Sequence, residues 1–123
     1  MSKTILIVED NENNMMLVRD VMQLKGYTVL EAVTGAEGVR LAIEAKPDLV
    51  LMDIQLPDMD GIAALAQIRA SEAAKNIPML AVSASVMPDE TQRIVASGFD
   101  AYITKPLNMK SFVETVEKFI GKA

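Results

Sequence analysis

Short runs of aliphatic and β-branched residues recur along the chain at residues 4–8, 27–30, 49–52, 79–82 and 101–103. None alternates cleanly with polar residues, which suits strands covered on both faces, as in a parallel sheet. Between them the apolar spacing becomes that of helices. Leu17, Val21 and Leu24 fall at i, i+4 and i+7, and Gly26 supplies a stop. Val39 and Ile43 stand one turn apart behind Thr34 and Glu37, a capping-box pattern. Ile62, Leu65 and Ile68 follow Asp60-Gly61, and Thr91, Ile94 and Val95 precede Gly98. The clearest stripe is the last, Phe112, Val116, Phe119 and Ile120 with Val113 beside it.

Five strand–helix units in 123 residues predict an α/β fold of parallel strands, with right-handed crossovers and helices on both faces. Residues 1–123 read as a single domain, without linker, repeat or second domain. Met15, Met16 and Met22 cluster on the first helix, and we read them as core filler with some surface scatter rather than as a partner-binding face.

Composition narrows the chemistry. Half of the residues are apolar, enough for one core. There is no cysteine, which excludes disulfides and thiolate metal sites, and no histidine, which removes the commonest general base and transition-metal ligand. A net charge of −5 argues against direct nucleic-acid binding. The four apolar residues at 5–8 are too few for a secretory signal or a membrane span, so we expect a cytoplasmic protein with no membrane insertion. Carboxylate chemistry and a hard, oxygen-seeking cation remain.

In an open α/β sheet, ligands bind at the carboxyl ends of the strands. There the first strand offers Glu9-Asp10, the third Asp53, the fourth Ser83, and the fifth leads through Thr104 into Lys105-Pro106. If the first strand lies between the second and third, Glu9, Asp10 and Asp53 share one small space, with Lys105 arriving from the far side. Three carboxylates that close cannot all remain ionised beside a single lysine unless a cation joins them. Mg²⁺ fits such an oxygen set, and softer metals lack a ligand to select them. Asp is also a competent nucleophile toward phosphorus, and phosphoryl transfer asks mainly for positioning and charge neutralisation.

At these residues the chain resembles the receiver domain of two-component response regulators, over nearly its whole length. The resemblance rests on Ile-Leu-Ile-Val-Glu-Asp-Asn around Glu9-Asp10, Leu-Met-Asp-Ile-Gln-Leu-Pro-Asp-Met-Asp-Gly around Asp53, Val-Ser-Ala around Ser83, Tyr102, and Thr-Lys-Pro around Lys105. The stretches Val-Glu-Asp-Asn-Glu-Asn-Asn-Met and Leu-Met-Asp-Ile-Gln-Leu-Pro are especially similar to stand-alone regulators of the DivK type. The resemblance implies a flavodoxin-like, doubly wound five-stranded sheet with five helices, in order 2-1-3-4-5. The spacing of elements along the chain does not by itself dictate that order. The resemblance further implies that Asp53 is the phosphoacceptor and a Mg²⁺ ligand, with Asp10 on the metal directly, Glu9 through water, and Gln55 through its backbone carbonyl. Mn²⁺ is an expected substitute. Lys105 would pair with a phosphoryl oxygen, Ser83 would bond another and draw its loop inward, and Tyr102 would switch from outside to inside. The Lys105–Pro106 peptide is expected to be cis, and Ser85 and Gln55 to tune dephosphorylation. Ser83 stands where threonine is commoner and Glu9 where aspartate is commoner; both keep the needed chemistry.

The function implied is that of a signalling protein with no output domain, catalysing only its own phosphorylation and dephosphorylation. The donor would be a histidine kinase or a histidine phosphotransfer protein, docking on the first helix near Asn13, Asn14 and Met15. The target would be another protein, a kinase among the candidates, with cell-cycle control a candidate pathway. Two other classes fit less well. A haloacid-dehalogenase-type hydrolase wants a second acid where Gln55 stands, and a flavin or nucleotide carrier wants a Gly-, Ser- or Thr-rich loop where Glu9-Asp10-Asn11-Glu12 stands. Asp58, Asp60 and Gly61 read as loop, cap and turn residues.

Overall fold

Strands and helices alternate throughout: β1 (Thr4–Val8), α1 (Glu12–Leu24), β2 (Thr28–Ala32), α2 (Gly35–Ala45), β3 (Leu49–Asp53), α3 (Gly61–Arg69), β4 (Met79–Ser83), α4 (Pro88–Ala96), β5 (Ala101–Thr104) and α5 (Met109–Ile120). The computed structural model describes residues 3–84, 88–105 and 108–122. All strands are parallel, in the expected order β2-β1-β3-β4-β5. Every residue of β3 and β4 is buried, as their unbroken apolar runs require, whereas the edge strands β2 and β5 are only partly covered.

The alternation of side chains across each strand divides the interior in two. One face places Leu6, Val8, Val50, Met52, Met79 and Ala81 beneath α2, α3 and α4, which contribute Ala42, Leu65, Ile68 and Ile94. The other places Ile5, Ile7, Leu49, Leu51 and Leu80 beneath α1 and α5, which contribute Met15, Val18, Met22, Phe112, Val113 and Val116. Helix α1 departs from the expected stripe. Leu17 and Leu24 are exposed, and Met15, Val18 and Met22 face the sheet instead. Residues 15–18 are all apolar, so spacing alone leaves the rotation of this helix open. Met16 is exposed, so the methionine cluster divides into core and surface.

Helix ends are fixed by short polar contacts. Asn11 caps α1 by accepting the Asn14 N–H, and Asn108 caps α5 by accepting that of Ser111. Thr34 accepts the Glu37 N–H at 3.1 Å, the first half of the capping box read from the sequence. Helix α2 ends on Lys46, held in the left-handed region at φ 49° before the chain turns through Pro47 into β3. At the far end of the sheet from the strand carboxyl termini, the Tyr27 hydroxyl donates to the Gly121 carbonyl at 2.5 Å, and Lys3 donates to the Ile120 carbonyl. These bonds fasten the end of α5 to the starts of β1 and β2, and a cation there complements the helix dipole.

Replacing Lys46 by glycine should raise stability by about 0.5–1 kcal/mol, because a side chain in the left-handed region costs more than the extra freedom of an unfolded glycine. Urea denaturation measures this directly. Burial, with a smaller contribution from Glu117, raises the Tyr27 phenol above its usual range. A raised folded value means stabilisation that is complete below the unfolded value, about 10, and is lost as pH climbs through the folded one. Tyr27→Phe should therefore cost about 1 kcal/mol at neutral pH. The gap to the unsubstituted protein should close in strongly alkaline buffer, as denaturation midpoints across that range will show.

Candidate functional site

Strand parity assembles the site. Glu9 lies two residues beyond Ile7, Asp53 two beyond Leu51, and Lys105 two beyond Ile103, all of which belong to the α1–α5 face of the sheet. The same alternation that buries those apolar residues therefore carries the three polar ones to one side of the sheet's carboxyl edge. Strands β1 and β3 are hydrogen-bonded neighbours, with Val8 opposite Met52, which sets Glu9 and Asp53 side by side.

One carboxylate oxygen from each of Glu9, Asp10 and Asp53 lies within 4.8 Å of the others. Glu9 and Asp53 are buried, and Asp10 is exposed at the rim. Lys105 Nζ reaches Glu9 Oε1 at 2.9 Å and Asp53 Oδ2 at 3.2 Å. The other Glu9 oxygen accepts the Asn11 N–H at 3.2 Å, and Asp53 Oδ1 accepts the Gln55 N–H at 3.1 Å. The acid pair is thus not the cap of α1; Asn11 has that role.

Apolar walls set the electrostatics. Ile7, Val18, Leu51, Val82 and Phe112 line a recess that backs directly onto Glu9 and Asp53. Burial, then the nearby Asp53 carboxylate, pushes the Glu9 carboxyl above its usual range despite the opposing pull of Lys105. Burial alone would depress Lys105, but Glu9 and Asp53 together outweigh it and hold the ammonium above the ordinary lysine range. One ammonium cannot balance three carboxylates. A small pocket of oxygen donors with excess negative charge fits a hard divalent cation such as Mg²⁺, and the donor set contains nothing softer.

The remaining expected residues sit around this centre. Ser83 ends β4 and is buried, in the pair of strands where Asp53 stands opposite Val82. The Lys105 N–H donates to its carbonyl at 2.9 Å, joining the ends of β4 and β5. Tyr102 lies on β5, partly buried against the α2–α4 cluster, and lines a groove with Thr104, Asn108 and Ser111. Ser85 and Pro106, and with them the expected cis peptide, lie outside the described residues.

Three details correct or extend what the sequence led us to expect. Met15, expected at the donor-docking surface, is buried between α1 and the sheet; Met16 is the exposed methionine there, and with Val33 it borders the shelf formed by Glu9, Asp10 and Glu12. Gly61 serves close approach rather than turn conformation, since a Cβ there would lie 2.5 Å from the Asp53 carbonyl oxygen. Asp58 is more than a loop residue. Its carboxylate accepts the N–H groups of Gly35 and Ala36, a contact across more than twenty positions for which no local pattern gives a signal. Asp60 behaves as expected, capping α3 through the Ile62 N–H, and it also pairs with Arg93 of α4 at 3.0 Å.

Comparison with known proteins places this geometry. Residues 5–117 match the response regulator receiver domain model. The chain is 42% identical to the polar-differentiation response regulator DivK of Brucella ovis, with both chains covered in full. It also superimposes on the receiver domain of a sensor histidine kinase from Pseudomonas aeruginosa PAO1, whose structure has a magnesium ion coordinated in the active-site cleft. That match has a TM-score of 0.91 at 30% identity and covers 99% of this chain and all of the other. A CheY-like receiver domain protein from Methanospirillum hungatei superimposes with a TM-score of 0.88 at 28% identity, covering 96% of this chain and 93% of that one. This chain belongs to the response regulator receiver domain family.

Proposed function

We propose that this protein works as a stand-alone response regulator, residues 1–123 forming one receiver domain, that accepts a phosphoryl group on Asp53. The observation that carries this reading is the buried Asp53 carboxylate standing between a cationic Lys105 and two further acids. The donor is a phosphohistidine on a histidine kinase or a histidine phosphotransfer protein. An Asp53 carboxylate oxygen attacks phosphorus, a P–O bond forms as the P–N bond breaks, and the imidazole leaves carrying the nitrogen electron pair. Asp53 is aimed by the Gln55 N–H on one oxygen and Lys105 on the other. When the phosphoryl group arrives, Lys105 is close enough to transfer part of its pairing to a phosphoryl oxygen, and Ser83 supplies a hydroxyl at the neighbouring strand end.

Glu9, Asp10, Asp53 and the Gln55 carbonyl are the residues that would hold Mg²⁺, with Mn²⁺ a substitute. The ion supplies neutralisation of the charge that gathers on the phosphoryl oxygens. The protein's own catalysis extends only to its phosphorylation and dephosphorylation. Ser83 and Tyr102 are the residues through which the phosphorylated state reaches the surface, by favouring a conformer already sampled. Asn13, Asn14 and the exposed Met16 form the donor-docking rim. Output passes to a partner protein, a kinase among the candidates, with cell-cycle control a candidate pathway; the DivK relatives are named for polar differentiation. None of the helices among the described residues is long and apolar enough to cross a membrane.

Incubation with acetyl phosphate and Mg²⁺ should add one phosphoryl group, seen by intact-mass spectrometry, and Asp53→Asn should abolish it. Undiminished labelling of that variant would sink the assignment, and steady turnover of p-nitrophenyl phosphate would favour a hydrolase. Lys105→Ala should keep Asp53 available yet slow labelling by about 100-fold, the usual cost of losing one charge-stabilising donor. Time courses at saturating Mg²⁺ give the ratio.

A further inference from the structure

The loop between β3 and α3, residues 54–60, carries the Gln55 carbonyl, and its two ends are tied to each other. The Gly61 N–H donates to the Ile54 carbonyl at 2.7 Å, and Gln55 forms an antiparallel bridge with Asp60. Neither bond reaches the middle of the loop, which is held from outside, by helix α2. Asp58 Oδ1 accepts the Gly35 N–H at 2.7 Å and Oδ2 accepts the Ala36 N–H at 3.0 Å. These are first-turn donors that the helix itself cannot satisfy, facing a carboxylate at the positive end of the helix dipole. The two bonds, that of Ala36 foremost, hold the Asp58 carboxyl below the usual range.

Packing reinforces the same contact. A Cβ at Gly35 would overlap Met59 Cγ and fall 3.3 Å from Asp58 Oδ1, so glycine at that position lets the loop lie flush on the helix. A second glycine brings α2 onto β1, because a Cβ at Gly38 would fall 2.7 Å from a Val8 methyl. Val8 directly precedes Glu9. One helix therefore touches both the loop that carries Gln55 and the strand that ends at the acid pair.

We propose that Asp58 is a positioning residue for the metal site, its bonds to the start of α2 fixing the β3–α3 loop and thereby the Gln55 backbone carbonyl. The proposal rests on the reading of Glu9, Asp10, Asp53 and Gln55 as the Mg²⁺ ligands. Groups that orient ligands from outside the coordination sphere commonly govern metal affinity by an order of magnitude. A carbonyl ligand has no rotamer of its own, so only its loop can aim it.

Calorimetric titration of MgCl₂ into the intact protein tests this without any phosphoryl transfer. Asp58→Ala and Gly35→Ala disturb the contact from opposite sides and touch no ligand; both should weaken Mg²⁺ binding by about 10-fold. Asp58→Asn, which keeps one acceptor oxygen, should fall between. Tyr27→Phe, at the other end of the sheet, should lower the melting temperature and leave the affinity unchanged. If the Asp58 and Gly35 variants are folded by circular dichroism, melt earlier and bind Mg²⁺ within twofold of the unsubstituted protein, Asp58 is a helix cap alone and the proposal fails. Absence of Mg²⁺ binding in the unsubstituted protein would instead overturn the metal reading, and the proposal with it. Should Asp58→Ala not fold, the Asn and Gly35 variants decide the matter, together with displacement of the Gln55 amide resonance in Asp58→Asn.

Discussion

Like charges held close together in a partly dry pocket are the constraint around which this protein is built. Glu9 and Asp53 back onto a recess of Ile7, Val18, Leu51, Val82 and Phe112, so the protein interior offers their carboxylates little dielectric relief. Their compensation comes from Lys105 and a few N–H groups, and it is incomplete. Such a site is poised to hold cations and to benefit from them. An arriving phosphoryl group adds still more negative charge, so its stability depends on the same positive groups. Metal affinity and phosphoryl chemistry are therefore two expressions of one electrostatic imbalance.

The opposing charges are carried on unequal supports. Asp53 ends β3 and Glu9-Asp10 follow β1, central strands bonded on both sides, whereas Lys105 follows β5, an edge strand bonded to β4 alone. An edge strand can shift with fewer broken bonds than a central one. Asp53 is thus fixed to a central part of the sheet, while its counter-charge Lys105 follows the strand that is held on one side only. Tyr102 lies half-buried on the same edge strand.

Much of this was legible from the chain alone, for identifiable reasons. The unbroken apolar runs of β1, β3 and β4 require cover on both faces, and that requirement leads to parallel strands and a site at their carboxyl ends. The residues at those ends, Glu9, Asp10, Asp53, Ser83 and Lys105, could be picked out because each interrupts or follows an apolar run. What failed had no periodic or local signature. Met15 through Val18 are all apolar, so the face that α1 buries was fixed by its cap at Asn11 and by packing against Phe112 and Val116 rather than by pattern. The bond from the Gly35 N–H to Asp58 joins the start of α2 to a loop far away in sequence, and Gly61 gave no hint that the Asp53 backbone lies against it.

The parity that aligns Glu9, Asp53 and Lys105 with Ile7, Leu51 and Ile103 has a bearing on how such a chain can vary. Core and chemistry are written in the same reading frame. Inserting or deleting one residue within β1 or β3 would exchange the side chains facing the two cores and send the carboxylate to the opposite face in the same event. No substitution elsewhere could repair one fault without the other. The strands that carry the site can therefore be altered only letter for letter.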